Sequence, residues 1–272
     1  MNTPPNLTLV EEALWVVNTS TGMPIYDFEF EAFFACRHPI WLDNEVVAIA
    51  RMGAAPDYAK RYQAMLEWGI KLIHSPEQYA LTSHLPKWYT RLEDLTPRSY
   101  WFEQLPQPEE IERRFEYPIF IKGERQTNKH NRHQSIIETP DQLRDVLSTW
   151  KRYPILSWQR LVCREFLPLR LVAPDRGSGL PLSFEFRTFW WKERCIGLGP
   201  YWTTPRYRLS SREEAQVLKL GEEAARRLQV TFLVVDIAQT VDGRWVVIEC
   251  NDGQDSGYAG VDRRTMWQRL ID

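Results

Sequence analysis

Long apolar runs are missing from this 272-residue chain. None approaches the ~20 residues a helix needs to cross a bilayer, so no membrane span is expected. Residues 1–12 are polar and carry prolines, with no basic stretch leading into an apolar core. No signal peptide is therefore expected, and the chain reads as cytoplasmic. Cysteine is scarce. Cys36, Cys163, Cys195 and Cys250 are widely spaced with no C-x-x-C pair, which excludes the usual zinc and redox motifs and fits four free thiols in a reducing compartment. No charge of one sign dominates either. With 34 Lys+Arg against 36 Asp+Glu the net charge is −2, too near neutral to leave the footprint of non-specific nucleic-acid binding. Also absent are a G-x-x-x-x-G-K-[ST] phosphate loop, a Ser-His-Asp or Cys-His nucleophile motif, internal repeats and low-complexity segments.

What is present is an ordinary globular composition, 43% hydrophobic and 26% charged, with enough apolar surface for a sizeable core. Tyr58, Tyr62, Met65 and Leu66 recur at helical spacing within 56–68, and Gly69 stops that helix before a short strand at 70–73. Short strands are expected at 14–17 and 46–50, helical pieces over 76–92 and a charged helix at 109–115. Pro118 separates that helix from the strand Ile119-Phe120-Ile121-Lys122. A polar loop covers 123–134, a strand 135–137, and Thr139-Pro140-Asp141 caps a helix to about residue 150. Strands follow at 155–162, 182–191 and 194–198. Ser211-Arg212-Glu213-Glu214 reads as a capping box opening a helix to about residue 228. Two strands, 231–238 and 244–251, precede a last helix over 262–270. The expected class is α+β.

The last two strands carry the strongest chemical signal. Asp242-Gly243 between them is a two-residue hairpin signature. With those residues as the loop, Val241 pairs with Arg244, and Asp236 falls opposite Glu249 on one face. Asn251, two residues on, shares that face. Directly opposed like charges destabilise a sheet, the more so within the runs Leu-Val-Val-Asp-Ile-Ala and Val-Val-Ile-Glu-Cys-Asn. A divalent cation removes the conflict. Oxygen donors without His or Cys favour Mg²⁺ or Mn²⁺. Because Mg²⁺ usually takes one or two carboxylates plus phosphate oxygens and water, a phosphate-bearing substrate is implied. The competing reading is a polar, solvated face.

Other residues suit the same chemistry. Lys122 ends its strand as a point charge for phosphate. The loop after it holds Gly123, Arg125, Lys129, His130, Arg132 and His133, backbone N–H groups and cations able to close over a triphosphate. No Cys or carboxylate joins His130 and His133 to make a zinc site. Residues 159–162 follow the run Ile-Leu-Ser-Trp and have the form of a strand edge that can pair with an adenine. Arg187 alternates with large aromatics in Phe184-Glu185-Phe186-Arg187-Thr188-Phe189, where it suits a γ-phosphate or an acyl phosphate or, alternatively, pairs with Glu185 at the surface.

Taken in order, a Lys strand, a polar phosphate loop, a hinge strand, an Arg strand, then Asp followed by Glu-x-Asn, the chain resembles the ATP-grasp superfamily. More narrowly it resembles the small bacterial and phage clade named for its arginine-and-lysine signature, in the segments PIFIKGERQTNKH, FEFRTFWWKERCIGLGPYW and VVDIAQTVDGRWVVIECNDGQDSGYAG. The likeness extends over about residues 60–262. It implies an α+β ATP-grasp fold, two α+β subdomains holding ATP between them. An N-terminal pre-ATP-grasp region would span 1–113 and the ATP-grasp domain 114–272, with a small lid subdomain at about 114–158, a hinge at about 159–165 and a metal-binding large subdomain at about 166–272. Lys122 would contact the α/β-phosphates and Lys129 add a second basic contact. Gln159, Arg160, Leu161 and Val162 would form the adenine hinge, where many family members begin with Glu. Arg187 would sit by the terminal phosphate, and Asp236, Glu249 and Asn251 would hold Mg²⁺ or Mn²⁺.

The implied activity is a carboxylate–amine ligase using ATP, a carboxylate substrate and an amine acceptor, peptides and proteins among the candidates. Residues 252–257 are expected to shape the acceptor pocket through Gln254 and Ser256. A kinase or nucleic-acid ligase on the same scaffold is the alternative, with Arg160, Arg164, Arg170, Arg187, Trp190 and Trp191 as a surface for RNA. A non-catalytic nucleotide-binding protein is a third reading.

Overall fold

The computed structural model describes residues 5–21, 27–125, 131–173 and 179–272. Three sheets carry the fold. The first gathers β1 (Asn6–Val10), β2 (Leu14–Asn18), β3 (Cys36–Arg37), β4 (Val46–Arg51) and β5 (Ile70–Leu72) in the order β3-β1-β2-β4-β5. β1 pairs antiparallel with β2 and β3, while β2, β4 and β5 run parallel. A parallel neighbour needs a crossover, and α1 (Tyr58–Leu66) supplies it between β4 and β5. Two helices follow, α2 (Pro76–Ser83) and α3 (Leu85–Leu92). α2 opens with Ser75 as cap: its hydroxyl accepts from Gln78 N, the Gln78 side chain accepts from Ser75 N, and Pro76 fills the first turn.

The second sheet is antiparallel, in the order β6-β9-β7-β8. Its segment of chain comprises β6 (Ser99–Phe102), α4 (Pro108–Glu112), β7 (Ile119–Gly123), α5 (Arg132–Ser135), β8 (Ile136–Ile137), α6 (Pro140–Thr149) and β9 (Leu161–Glu165). β6 lies before residue 114 yet pairs with β9 throughout its length. The run expected as a strand over 155–162 departs from that pattern. Residues 154–158 form a turn, with Leu156 N and Ser157 N both donating to Tyr153 O. Leu156 drops into the core beside Leu143, Val146, Leu147 and Trp150, and the strand begins only at Leu161.

The third sheet, order β11-β10-β12-β13, is also antiparallel. It comprises β10 (Glu185–Trp191), β11 (Arg194–Pro200), β12 (Phe232–Gln239) and β13 (Trp245–Asp252), with α7 (Ser211–Leu228) before β12 and α8 (Arg263–Ile271) closing the chain. The α7 cap is Ser210 with Glu213, one residue earlier than the sequence pattern suggests, because the Ser210 hydroxyl and amide both bond the Glu213 carboxylate. Val217, Ala224 and Leu228 of α7 pack on one face of the sheet with Leu233 and Val235. Met266, Trp267 and Leu270 of α8 pack on the other with Val234, Phe232 and the first sheet's Val10 and Val16. β12 is therefore covered on both sides, which accounts for its nearly continuous apolar sequence and makes the charge at Asp236 conspicuous. Among the described residues no helix is long and apolar enough to cross a membrane.

Candidate active site

The β12–β13 hairpin puts Asp236 opposite Glu249, by a route the sequence does not announce. Its loop is Val241-Asp242-Gly243: Thr240 N donates to Arg244 O at 2.8 Å and Gly243 N to Thr240 O at 3.0 Å. Gly243 takes φ +87, the left-handed residue that closes a three-residue hairpin. The extra loop residue offsets the expected register by one, so that Ile237 faces Val247. A bulge at Ile248 removes the offset, and beyond it Asp236 faces Glu249 and Val234 faces Asn251. Asp236, Glu249 and Asn251 thus share one face.

Each carboxylate has a cation. Arg187 lies directly across from Asp236 on β10 and grips it with two parallel bonds, Nε to Oδ1 at 2.8 Å and Nη2 to Oδ2 at 2.7 Å. Its Nη1 donates to Gly257 O at 2.7 Å. Burial pulls the Arg187 pKa down, but the charge and hydrogen bonds of Asp236 more than offset it and leave the pKa raised. Lys122, buried at the end of β7, bonds the Glu249 carboxylate and so bridges the second sheet to the third. Among the described residues no three His, Cys, Asp or Glu side chains form a ready-made metal cage. Two facing carboxylates and an amide oxygen instead fit a hard cation that phosphate and water complete.

A cavity of about 470 Å³ opens beside this cluster, within the usual range for small-molecule sites. Lys122, Arg164, Glu165, Glu185, Tyr201 and Glu249 bring polar groups to it. Its apolar wall comes largely from residues 166–169, Leu171, Leu180, Trp202 and Ile248. Of the sequence-predicted residues, Lys122 and Glu249 line this space, and Arg187, Asp236 and Asn251 continue from Glu249 across the sheet.

Gln159, Arg160, Leu161 and Val162 do not line it. Because 154–158 is a turn, Gln159 faces inward against Gly123, where an added Cβ would lie 2.4 Å from Gln159 Oε1. Its Oε1 accepts from Arg125 N at 2.8 Å and its Nε2 bonds Ile155 O. Arg160 is committed to Glu124 and Glu103. Leu161 and Val162 are buried in two apolar cores. The chain along the cavity is instead 164–169, with Glu165 among its polar groups. Lys129 lies outside the described residues.

Gln254 and Ser256 also differ from expectation. Gln254 accepts from Ala50 N at 3.0 Å and donates to Tyr58 at 3.2 Å, and Ser256 donates to Asp252 O at 2.6 Å. Both are buried ties within the protein. Beside them lies a cluster that no sequence pattern flagged. The Tyr79 hydroxyl donates to Asp255 at 2.6 Å, and Arg125 donates to Tyr79 at 2.6 Å and to Asp255 at 3.4 Å. Burial, and then the charge of Asp252, push the Asp255 carboxyl up to about 6.

A family described as an ATP-grasp domain, the third family of its clade, matches residues 106–270. No curated protein matches the chain. Among solved structures, the RimK domain protein ATP-grasp from Sphaerobacter thermophilus is similar at 15% identity and TM-score 0.56, over 83% of this chain and 77% of that one. D-alanine–D-alanine ligase from Bacillus anthracis, complexed with ATP, is similar at 13% identity and TM-score 0.58, over the same shares, 83% and 77%. The ATP-grasp ligase PsnB, complexed with a minimal precursor, Mg and ADP, is similar at 16% identity and TM-score 0.54, over 92% and 84%. Likeness at these identities is likeness of fold.

Proposed function

The chain belongs to that ATP-grasp family, and from this premise we propose that it is an ATP- and Mg²⁺-dependent carboxylate–amine ligase. The observation that carries the reading is the charge arrangement at the cavity. Two opposed carboxylates, Asp236 and Glu249, stand within reach of two cations, Arg187 and Lys122. That is the set a metal–triphosphate complex exchanges into, the metal on the carboxylates and the phosphates on the cations.

In this reading the segment 165–168 is the hinge, its backbone edge pairing with the adenine while Leu167 and Pro168 cover the ring. Glu165 and Glu185 are the carboxylates available to the ribose hydroxyls. Lys122 would hold the α/β-phosphates and Arg187 the terminal phosphate, each exchanging its carboxylate partner for phosphate. Asp236, Glu249 and Asn251 would hold Mg²⁺, which when bound would supply charge neutralisation for the transferring phosphoryl group. A substrate carboxylate oxygen bonds to the γ-phosphorus as the bond to ADP breaks. The amine nitrogen then takes the acyl carbon, phosphate leaves with the electron pair, and the nitrogen loses a proton. The protein's share is positioning and charge neutralisation, with no protein nucleophile. The division into a small lid subdomain, a hinge and a metal-binding large subdomain is proposed on the same grounds.

The test is a screen of acids and amines, from amino acids to peptides, scoring ADP release and amide product by mass. ADP release that requires both acid and amine, with an amide formed, is expected. A phosphorylated product without an acceptor would move the assignment to a kinase. No turnover together with tight ATP binding would move it to a nucleotide-binding protein.

A further inference from the structure

β13 is the edge strand of its sheet, and its outer edge is caught from outside at the bulge. Val247 N donates to Leu95 O at 2.8 Å and Thr96 Oγ1 donates to Val247 O at 2.8 Å. Arg164, from β9 in the second sheet, donates Nη1 to Ile248 O at 2.7 Å. Its Nη2 donates to Thr96 Oγ1 at 2.6 Å and its Nε to Ser99 Oγ at 3.0 Å. All three guanidinium nitrogens are engaged, and the residue is buried. A bulged residue is left unpaired by its neighbouring strand, so its carbonyl needs another donor. Arg164 is that donor for Ile248.

The bulge decides which side chain Asp236 faces. Continued in its loop-side register, β13 would set Ile248 opposite Asp236 and turn Glu249 to the other face. Lys122 and Val162 are paired across β7 and β9, so Lys122 and Arg164 lie on one face of the second sheet. From there one holds the Glu249 carboxylate and the other the carbonyl just before it.

We propose that Arg164 is a positioning residue for Glu249, fixing the bulge at Ile248 and so holding Glu249 opposite Asp236. The inference rests on reading those carboxylates as the cation's ligands. It is tested by titrating Mn²⁺ into protein saturated with ADP, and ADP into protein in EDTA, for the wild type, Arg164→Met and Arg164→Lys. Arg164→Met should weaken Mn²⁺ binding by about 10- to 100-fold, the range for groups that orient metal ligands, with ADP affinity in EDTA changed less than about twofold. Arg164→Lys folds with a charge in place, keeps one donor for Ile248 O, and should recover part of the loss. Ser99→Ala removes a contact of Arg164 that does not reach β13 and should leave Mn²⁺ affinity unchanged. Equal losses with Mn²⁺ and in EDTA would mean that Arg164, which borders the cavity, touches the nucleotide directly, and would overturn the inference. So would unchanged Mn²⁺ affinity in both variants. A wild type that binds ADP but no Mn²⁺ would overturn the metal reading itself.

Discussion

Lys122 holds Glu249 and Arg187 holds Asp236, so the groups proposed for phosphate and for metal neutralise one another. A triphosphate arriving alone would draw both cations away and strand two carboxylates face to face, Asp236 buried and Glu249 largely so. Removing one partner of a buried pair costs about 3–5 kcal/mol, and a divalent cation removes that cost by taking the carboxylates over. Lys122→Met should therefore destabilise the fold by about 3 kcal/mol in urea unfolding, and excess Mg²⁺ should restore part of that stability. A loss under about 1 kcal/mol would mean the pair is solvated. Asp255 gives a second prediction at this scale. Its carboxyl, facing Asp252, Arg125, Arg51 and Tyr79, is raised to about 6, above the ~3.9 of an unfolded chain. The folded protein then keeps a proton that the unfolded chain releases, so stability present near pH 4 is lost as pH rises toward 6 and is level above that. Asp255→Asn cannot titrate. Its stability relative to wild type should rise by on the order of 2 kcal/mol from pH 4 to pH 7. A constant difference would contradict the assignment.

At the scale of elements, the β12–β13 hairpin was legible for a partly wrong reason. Asp242-Gly243 marks the turn in the sequence, and the alternation from Asp236 and Glu249 marks the face. The loop nevertheless takes Val241 as well, and the pairing is recovered by a bulge whose cause, Arg164, lies 84 positions away in the chain. No local pattern carries that information. Gly243→Ala tests the division of labour. A Cβ there meets nothing within 4 Å, so only the left-handed backbone resists, at about 1–2 kcal/mol. Stability should fall by that amount while Mg²⁺-dependent ATP binding is kept, because the bulge rather than the loop aims Glu249. Loss of metal binding in this variant would reverse that conclusion. The strand expected over 155–162 starts late for a related reason. Ile-Leu-Ser-Trp has strand composition, but Leu156 is needed by the core around Trp150 and the backbone turns to deliver it, which delays the strand to Leu161. For the hinge proposed at 165–168 the signal is Glu165-Phe166-Leu167-Pro168, since a strand ending in Glu before a proline is where a sheet gives way to a linker.

For the whole molecule, the α+β class and most elements of the last two sheets follow from periodicity, because α7 and β12 each bury a face or faces that their sequences record. How the first sheet joins them does not. Arg51, fully buried, donates to the carbonyls of Gly253, Gln254 and Ser256 and lies over the Tyr258 ring. His74 accepts from Phe232 N at 3.0 Å and bonds the buried Asp252. The hydrogen-bonded partners lie 158 to 205 positions apart in the chain, beyond any spacing rule. Arg51→Met leaves buried carbonyls without their donor, at about 1–3 kcal/mol each, seen as a large drop in thermal midpoint, and a drop under about 2 °C would mean the first sheet is not braced there. The account as a whole stands on the two carboxylates of the hairpin. Its most direct test is calorimetric ATP binding with and without Mg²⁺, on the wild type and on Glu249→Gln. The account predicts wild-type binding at least about tenfold tighter with Mg²⁺, roughly 1.4 kcal/mol, and most of that gain lost in Glu249→Gln. Binding equally tight without Mg²⁺, or unaffected by Glu249→Gln, would contradict it.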